Sequence, residues 1–129
     1  MIDTNLIAFL KAAGTAAGTR IHTGNAPQGT ALPAVIIRRT AGSTPRVLGG
    51  QPLFSRAQFS IDVVGTDYAT ALPVANAVRV LLDGYNGVIG DSTVQSARFI
   101  AEPAAFDEID GDQVFRRLSQ DVLFLYKDP

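Results

Sequence analysis

At 129 residues the chain is long enough for one domain that buries about two-thirds of its unfolded surface, and 47% hydrophobic with 18% charged residues excludes a disordered chain. Eleven basic residues against twelve acidic ones leave a net charge of −1, so no global positive field is available to hold a phosphate backbone. The absence of cysteine excludes disulfides and thiolate metal sites, and the single histidine, His22, excludes a site built on two of them.

The opening Met1-Ile2-Asp3-Thr4-Asn5-Leu6 has no basic leader, and the apolar stretch behind it stops at Lys11, too short for a secretory or membrane segment. Synthesis and retention in the cytoplasm is the expectation. A first helix is predicted with Asp3 or Thr4 as its cap, Ile2 stapled against Ile7, an inward row Leu6, Ile7, Leu10, Ala13, and an end at Gly14 and Gly18. A short extended piece, Arg20 to His22, leads into the turn-rich run Gly24 to Gly29.

Ala34 to Thr40 reads as a strand because β-branched residues dominate it and Pro33 suits the position before it. A loop from Gly42 to Leu53 follows, long enough to be expected to carry a contact through Arg46, Val47 and Leu48. From Arg56 to Val63, Ala57, Phe59, Ile61 and Val63 alternate with polar residues, the mark of a half-buried strand.

A second helix is predicted from Asp67 or Thr70, with Ala71, Val74, Ala75, Val78, Leu81, Leu82 and Tyr85 on one face and Pro73, Asn76, Arg79 and Asp83 turned away. Pro73 points to a start near Thr70, since a proline past the first turn removes a backbone bond. Gly84-Tyr85-Asn86-Gly87 is shaped like a nucleotide-clamping loop but follows a helix, so it reads as a helix stop. Two strands, Thr93 to Ala101 and Gln113 to Tyr126, are joined by an acidic turn region from Glu102 to Asp112. The class is α+β: an antiparallel or mixed sheet with two helices packed on one face, in a single domain over residues 1–129.

Candidate chemistry is sparse. The carboxylates of Asp107, Glu108, Asp110 and Asp112 lack the spacing and final bidentate glutamate of a calcium loop and read as a solvated hairpin connection. His22 has no nucleophile-elbow partner and reads as a surface or loop-packing residue. Asp62 and Asp121 could divide acid and base roles, but Arg56, Arg116 and Arg117 nearby favour ion pairing on an exposed or intersubunit sheet face. Arg38 and Arg39 point to opposite sides of one strand and form no joint phosphate clamp.

The segments Pro27 to Ile37, Arg56 to Val63, Tyr68 to Ala71, Ala77 to Tyr85, Val94 to Arg98 and Leu118 to Phe124 resemble, in that order, the phage tail completion family. Two departures stand out: Val63-Val64-Gly65 where relatives often place an aromatic, and Pro73 in a helix that is usually unbroken. The resemblance implies a non-enzymatic virion subunit with no catalytic residue, cofactor or metal. It implies a ring, typically of six copies, that caps the head-proximal end of the tail tube, stops elongation and joins the head. Its partners would be other copies of itself, the major tail tube protein and the head-tail connector, with no membrane and no sequence-specific nucleic acid, although DNA would pass through the ring.

On this reading Arg46, Val47, Leu48, Arg56, Arg116 and Arg117 are the partner-contact residues. Three alternatives stay open at this point: a neck adaptor subunit, a small ligand-binding or hydrolytic α+β domain, and a dimeric bacterial domain of unrelated function.

Overall fold

The computed structural model describes residues 2–15, 18, 20–23, 33–43, 54–100, 104–110 and 113–127, of which 104–110 and 113–115 are described by backbone alone. The elements run α1 (Ile2–Ala12), β1 (Ile21–Thr23), β2 (Ala34–Ser43), β3 (Ser55–Gly65), α2 (Tyr68–Leu82), β4 (Gly87–Ile89), β5 (Ser92–Phe99), β6 (Ala104–Asp110) and β7 (Gln113–Lys127). One seven-stranded sheet has the order β1-β2-β3-β7-β5-β4, with β6 attached to β7 off that path. β1 pairs with β2 in parallel and every other pairing is antiparallel, so the sheet is mixed.

The alternation in β3 sends Ala57, Phe59, Ile61 and Val63 to one face, all fully buried. Their neighbours across the register continue that face: Val35 and Ile37 on β2, and Leu118, Val122 and Phe124 on β7. Both helices lie against it, and Ile2, Leu6 and Leu10 of α1 share one core with Ala71, Val74, Ala75, Val78 and Leu82 of α2.

The sheet curls. Helix α1 touches β1 and β4, the two ends of the strand path. Six strands at about 4.8 Å spacing would hold those ends about 24 Å apart if flat, twice the width of a helix. Asn5 fixes the β4 side, donating to Asp91 Oδ1 at 2.6 Å and Ser92 Oγ at 2.8 Å. The turn between β4 and β5 passes so close that a Cβ on Gly90, at φ +62°, would meet the Asn5 side chain at 2.5 Å.

Asp3 ties α1 to the other flank, its carboxylate accepting from Arg39 Nη2 at 2.6 Å and from Nε at 3.3 Å. Arg39 also lies over the Phe59 ring, 5.3 Å from its centroid. The Arg39 bond holds the Asp3 carboxyl below the usual aspartate range, and Asp3 in turn raises the Arg39 guanidinium. A lowered carboxyl stabilises the fold above its unfolded pKa, and that contribution is lost as pH falls through the lowered folded value. Asp3→Asn is therefore expected to cost at most about 1 kcal/mol at neutral pH and nothing below the range where Asp3 titrates. Denaturant titrations of both proteins at the two pH values check it.

Several boundaries differ from the sequence reading. Helix α1 starts at Ile2, so Asp3 lies in its first turn and Ile2 is itself core, while Ala13 is exposed and Ile7 only partly buried. Strand β2 continues to Ser43 across a bulge between Arg39 and Ala41. Helix α2 starts at Tyr68 behind Asp67, one of the two openings expected, and not near Thr70: Asp67 caps it by accepting from the Thr70 N–H at 2.8 Å, and Pro73 sits inside. The bond missing at Pro73 leaves the carbonyl of Ala69, an exposed residue that water can reach. Leu81 and Tyr85 are only partly buried.

Helix α2 stops where expected, with Gly84 at φ +77° and its N–H on the Ala97 carbonyl at 2.7 Å. The region from Glu102 to Asp112 is not a turn throughout, since residues 104–110 form β6, paired with β7 down to Asp110 opposite Gln113. Strand β4 had no counterpart in the sequence reading. The turn-rich run Gly24 to Gly29 lies outside the described residues, as does the expected Gly42 to Leu53 loop except for Gly42 and Ser43, which belong to β2.

Candidate functional surfaces

The face of the sheet turned away from the helices divides into two halves. In the first, Ala34 and Ile36 of β2 and Ser60, Asp62 and Val64 of β3 are buried. Asp62 is 2% exposed and accepts from Arg117 Nε at 3.0 Å and from the Ser60 hydroxyl at 3.0 Å, with Arg38 Nη2 at 3.8 Å. Ser60 also meets the Ser119 hydroxyl at 3.3 Å, so three strands contribute to one polar cluster.

This arrangement contains one pair expected from sequence, Asp62 with Arg117, and corrects the rest. Asp62 takes Arg117 and Arg38 as its cations, not Arg56 or Arg116, and its site is buried, not an exposed face. A carboxylate held by a short guanidinium contact, a second arginine and a hydroxyl is structural in character. Asp121, half-buried on the same face opposite Ser60, has no bond to Asp62. His22 is a half-buried β1 residue opposite Ile36, with Nε2 buried and, among the described residues, without a hydrogen-bond partner. Among the described residues no group of three or more His, Asp or Glu is placed to hold a metal ion.

In the second half, towards the Lys127 end of β7, Ala41, Ser43, Arg56, Ser96 and Arg98 are exposed around the half-buried Leu123 and Leu125. The register sets Arg56 opposite Leu125 and Arg98 opposite Leu123, one arginine on each side of β7. A shallow groove runs along Ala41, Gly42, Ser43, Arg56, Gln58 and Leu123. An apolar centre rimmed by arginine is the composition of a protein-binding patch.

The sequence-predicted contact residues fall in different places. Arg56 borders this groove, while Arg116 pairs in register with Gly65 nine residues back along β7, about 30 Å away. Arg117 is committed to Asp62, and Arg46, Val47 and Leu48 lie outside the described residues. Arg38, Arg98, Leu123 and Leu125 were not singled out from sequence. The bulge between Val94 and Ser96 hides the alternation that would have placed Arg98 outward.

Comparison with known proteins gives a consistent picture. A family described as "Tail completion protein gp17" matches residues 4–127. No curated protein matches the sequence. Among solved structures, a chain from the "Virion of native gene transfer agent (GTA) particle" shares the fold with a TM-score of 0.58 at 18% identity, over 98% of this chain and 92% of that one.

Proposed function

The chain belongs to the tail completion gp17 family, a virion structural protein of phage tails, and on that premise we propose that it forms a ring closing the head-proximal end of the tail tube. The ring consists of about six identical copies, stops tube elongation and offers the surface on which the head connector seats. It works as a binding part without catalysis. Its partners are neighbouring copies, the major tail tube protein and the connector, with DNA passing through the ring and no membrane involved. The observation that carries this reading is the family match along nearly the whole chain.

The partner contact expected of the Gly42 to Leu53 loop belongs to the same reading, with Arg46, Val47 and Leu48 meeting an adjoining ring. Electron microscopy of assembled particles is the test. The expected result is a closed ring of this chain between tube and connector, and shortening the loop should give overlong or headless tails. A single copy per particle, or a ring bound only to the connector without touching the tube, would reject the terminator role, the second outcome in favour of a neck adaptor.

A further inference from the structure

The solvent side of α2 carries no charge. Ala69, Pro73, Asn76 and Val80 form an exposed stripe along it, where a surface helix ordinarily turns charged residues to water. Val80 is 81% exposed, the most of any large apolar side chain among the described residues, and Tyr68 at the head of the helix is 46% exposed. The four stripe residues are spaced four, three and four apart, the repeat of a seam that faces another helix.

The stripe is self-complementary. Its two polar groups are the Asn76 amide, which makes no side-chain hydrogen bond among the described residues, and the Ala69 carbonyl, which loses its helical donor to Pro73 and points along the helix towards it. Tyr68 and Val80 stand six residues either side of Val74, and Asp67 and Arg79 six either side of Pro73. A second copy turned about a two-fold axis through that turn of α2 therefore sets each Tyr68 against the other copy's Val80. It also carries each Asn76 towards the other copy's Ala69 carbonyl and brings Asp67 level with Arg79.

We infer that the chain pairs with a second copy of itself through α2, the two helices antiparallel. A parallel pair would oppose Asp67 to Asp67 and Arg79 to Arg79, and like charges so placed repel. The stripe is about 18 Å long and buries less than the roughly 800 Å² per partner of a stable complex. The pair is therefore reversible and depends on concentration. It uses one patch twice, whereas ring contacts join two different patches, so it neither builds nor requires the ring.

Sedimentation equilibrium of the unaltered full chain, from about 10 µM to 1 mM, should show monomer and dimer in exchange. Asn76→Asp removes the amide donor and opposes a carboxylate to a carbonyl, and should weaken the dimer about tenfold or more. Val80→Lys should weaken it similarly, while Val88→Lys, which alters another exposed valine away from the stripe, should leave it unchanged. Asn76 and Val80 are exposed, so the urea midpoints of both variants should match the parent, and Ala69→Lys replaces either one that misfolds. The chain has no cysteine, so single introduced cysteines report orientation. An equal mixture of Tyr68→Cys and Val80→Cys should cross-link through a short bismaleimide several-fold better than either variant alone.

A chain that stays monomeric throughout, dimers unmoved by both folded stripe variants, or better cross-linking of one cysteine variant alone overturns the pairing. Hexamers that survive both stripe variants, with no dimer at any concentration, reject it and leave the ring standing. A dimer lost in both variants, together with particles that hold no ring of this chain, supports the pairing and rejects the ring.

Discussion

Phe59→Ala is expected to lower the free energy of unfolding by about 3–5 kcal/mol, enough to unfold much of a domain whose total stability is of order 5–15 kcal/mol. Phe59 is fully buried at the centre of β3 and meets Phe124 edge to face, with centroids 5.7 Å apart and planes at 82°. Arg39, the residue that anchors α1 through Asp3, lies over its ring. Truncation therefore empties the core and removes the surface on which the helix tether rests. Phe59→Leu, which keeps much of the volume, should recover more than half of the loss. Urea titration with the midpoint and slope compared across the three proteins tests this.

The second large effect is expected at Asp62. Asp62→Ala should cost about 3 kcal/mol, because truncating one member of a buried charge pair takes from the other its short charge-assisted bond and also strips the Ser60 hydroxyl of its acceptor. Arg117 is the group left behind, its side chain only 16% exposed, whereas Arg38 at 54% stays hydrated and loses little. The double substitution Asp62→Leu with Arg117→Met removes both charges and should return most of that stability. If the double variant were no better than Asp62→Ala, the pair would not be the source of the loss, and the Ser60–Ser119 contact would become the better explanation.

How much was legible in the sequence depended on how many neighbours each segment has. Strand β3 is paired on both edges and its inner face is core throughout, so the apolar alternation could be read without a structure, whereas the burial of Ser60, Asp62 and Val64 on its other face could not. Helix α2 packs on β3, β5 and β7, and its apolar face was read almost residue for residue. Strand β6 was missed because Asp and Glu are depleted in strands. Paired with β7 alone among the described strands, it is an edge, where charged residues are tolerated and discourage unwanted pairing.

Strands β1 and β4, three residues each, are too short to show any period. The surfaces were harder still. Arg117 and Asp62 were recognisable as charges suited to pairing, but which arginine reached which carboxylate depended on register, and burial on what covered that face. Arg46, Val47 and Leu48 rested on loop length, which specifies no position.

The place of β7 in the chain has a consequence for synthesis. It holds β3 along one edge and both β5 and β6 along the other, and all three precede it. While the ribosome is still translating the earlier strands, β1, β2 and β3 can pair with one another and β4 with β5, but nothing joins these pieces or pairs β6 until β7 is made. Productive folding waits for residues 113–127 to clear the exit tunnel, and this long-range pairing makes it slow relative to helix formation. A nascent chain interrupted before that point lacks Leu123 and Leu125 as well as the strand that orders Arg56 and Arg98. Prematurely terminated products thus lack both the strand that joins the sheet and the outer face around Leu123 and Leu125.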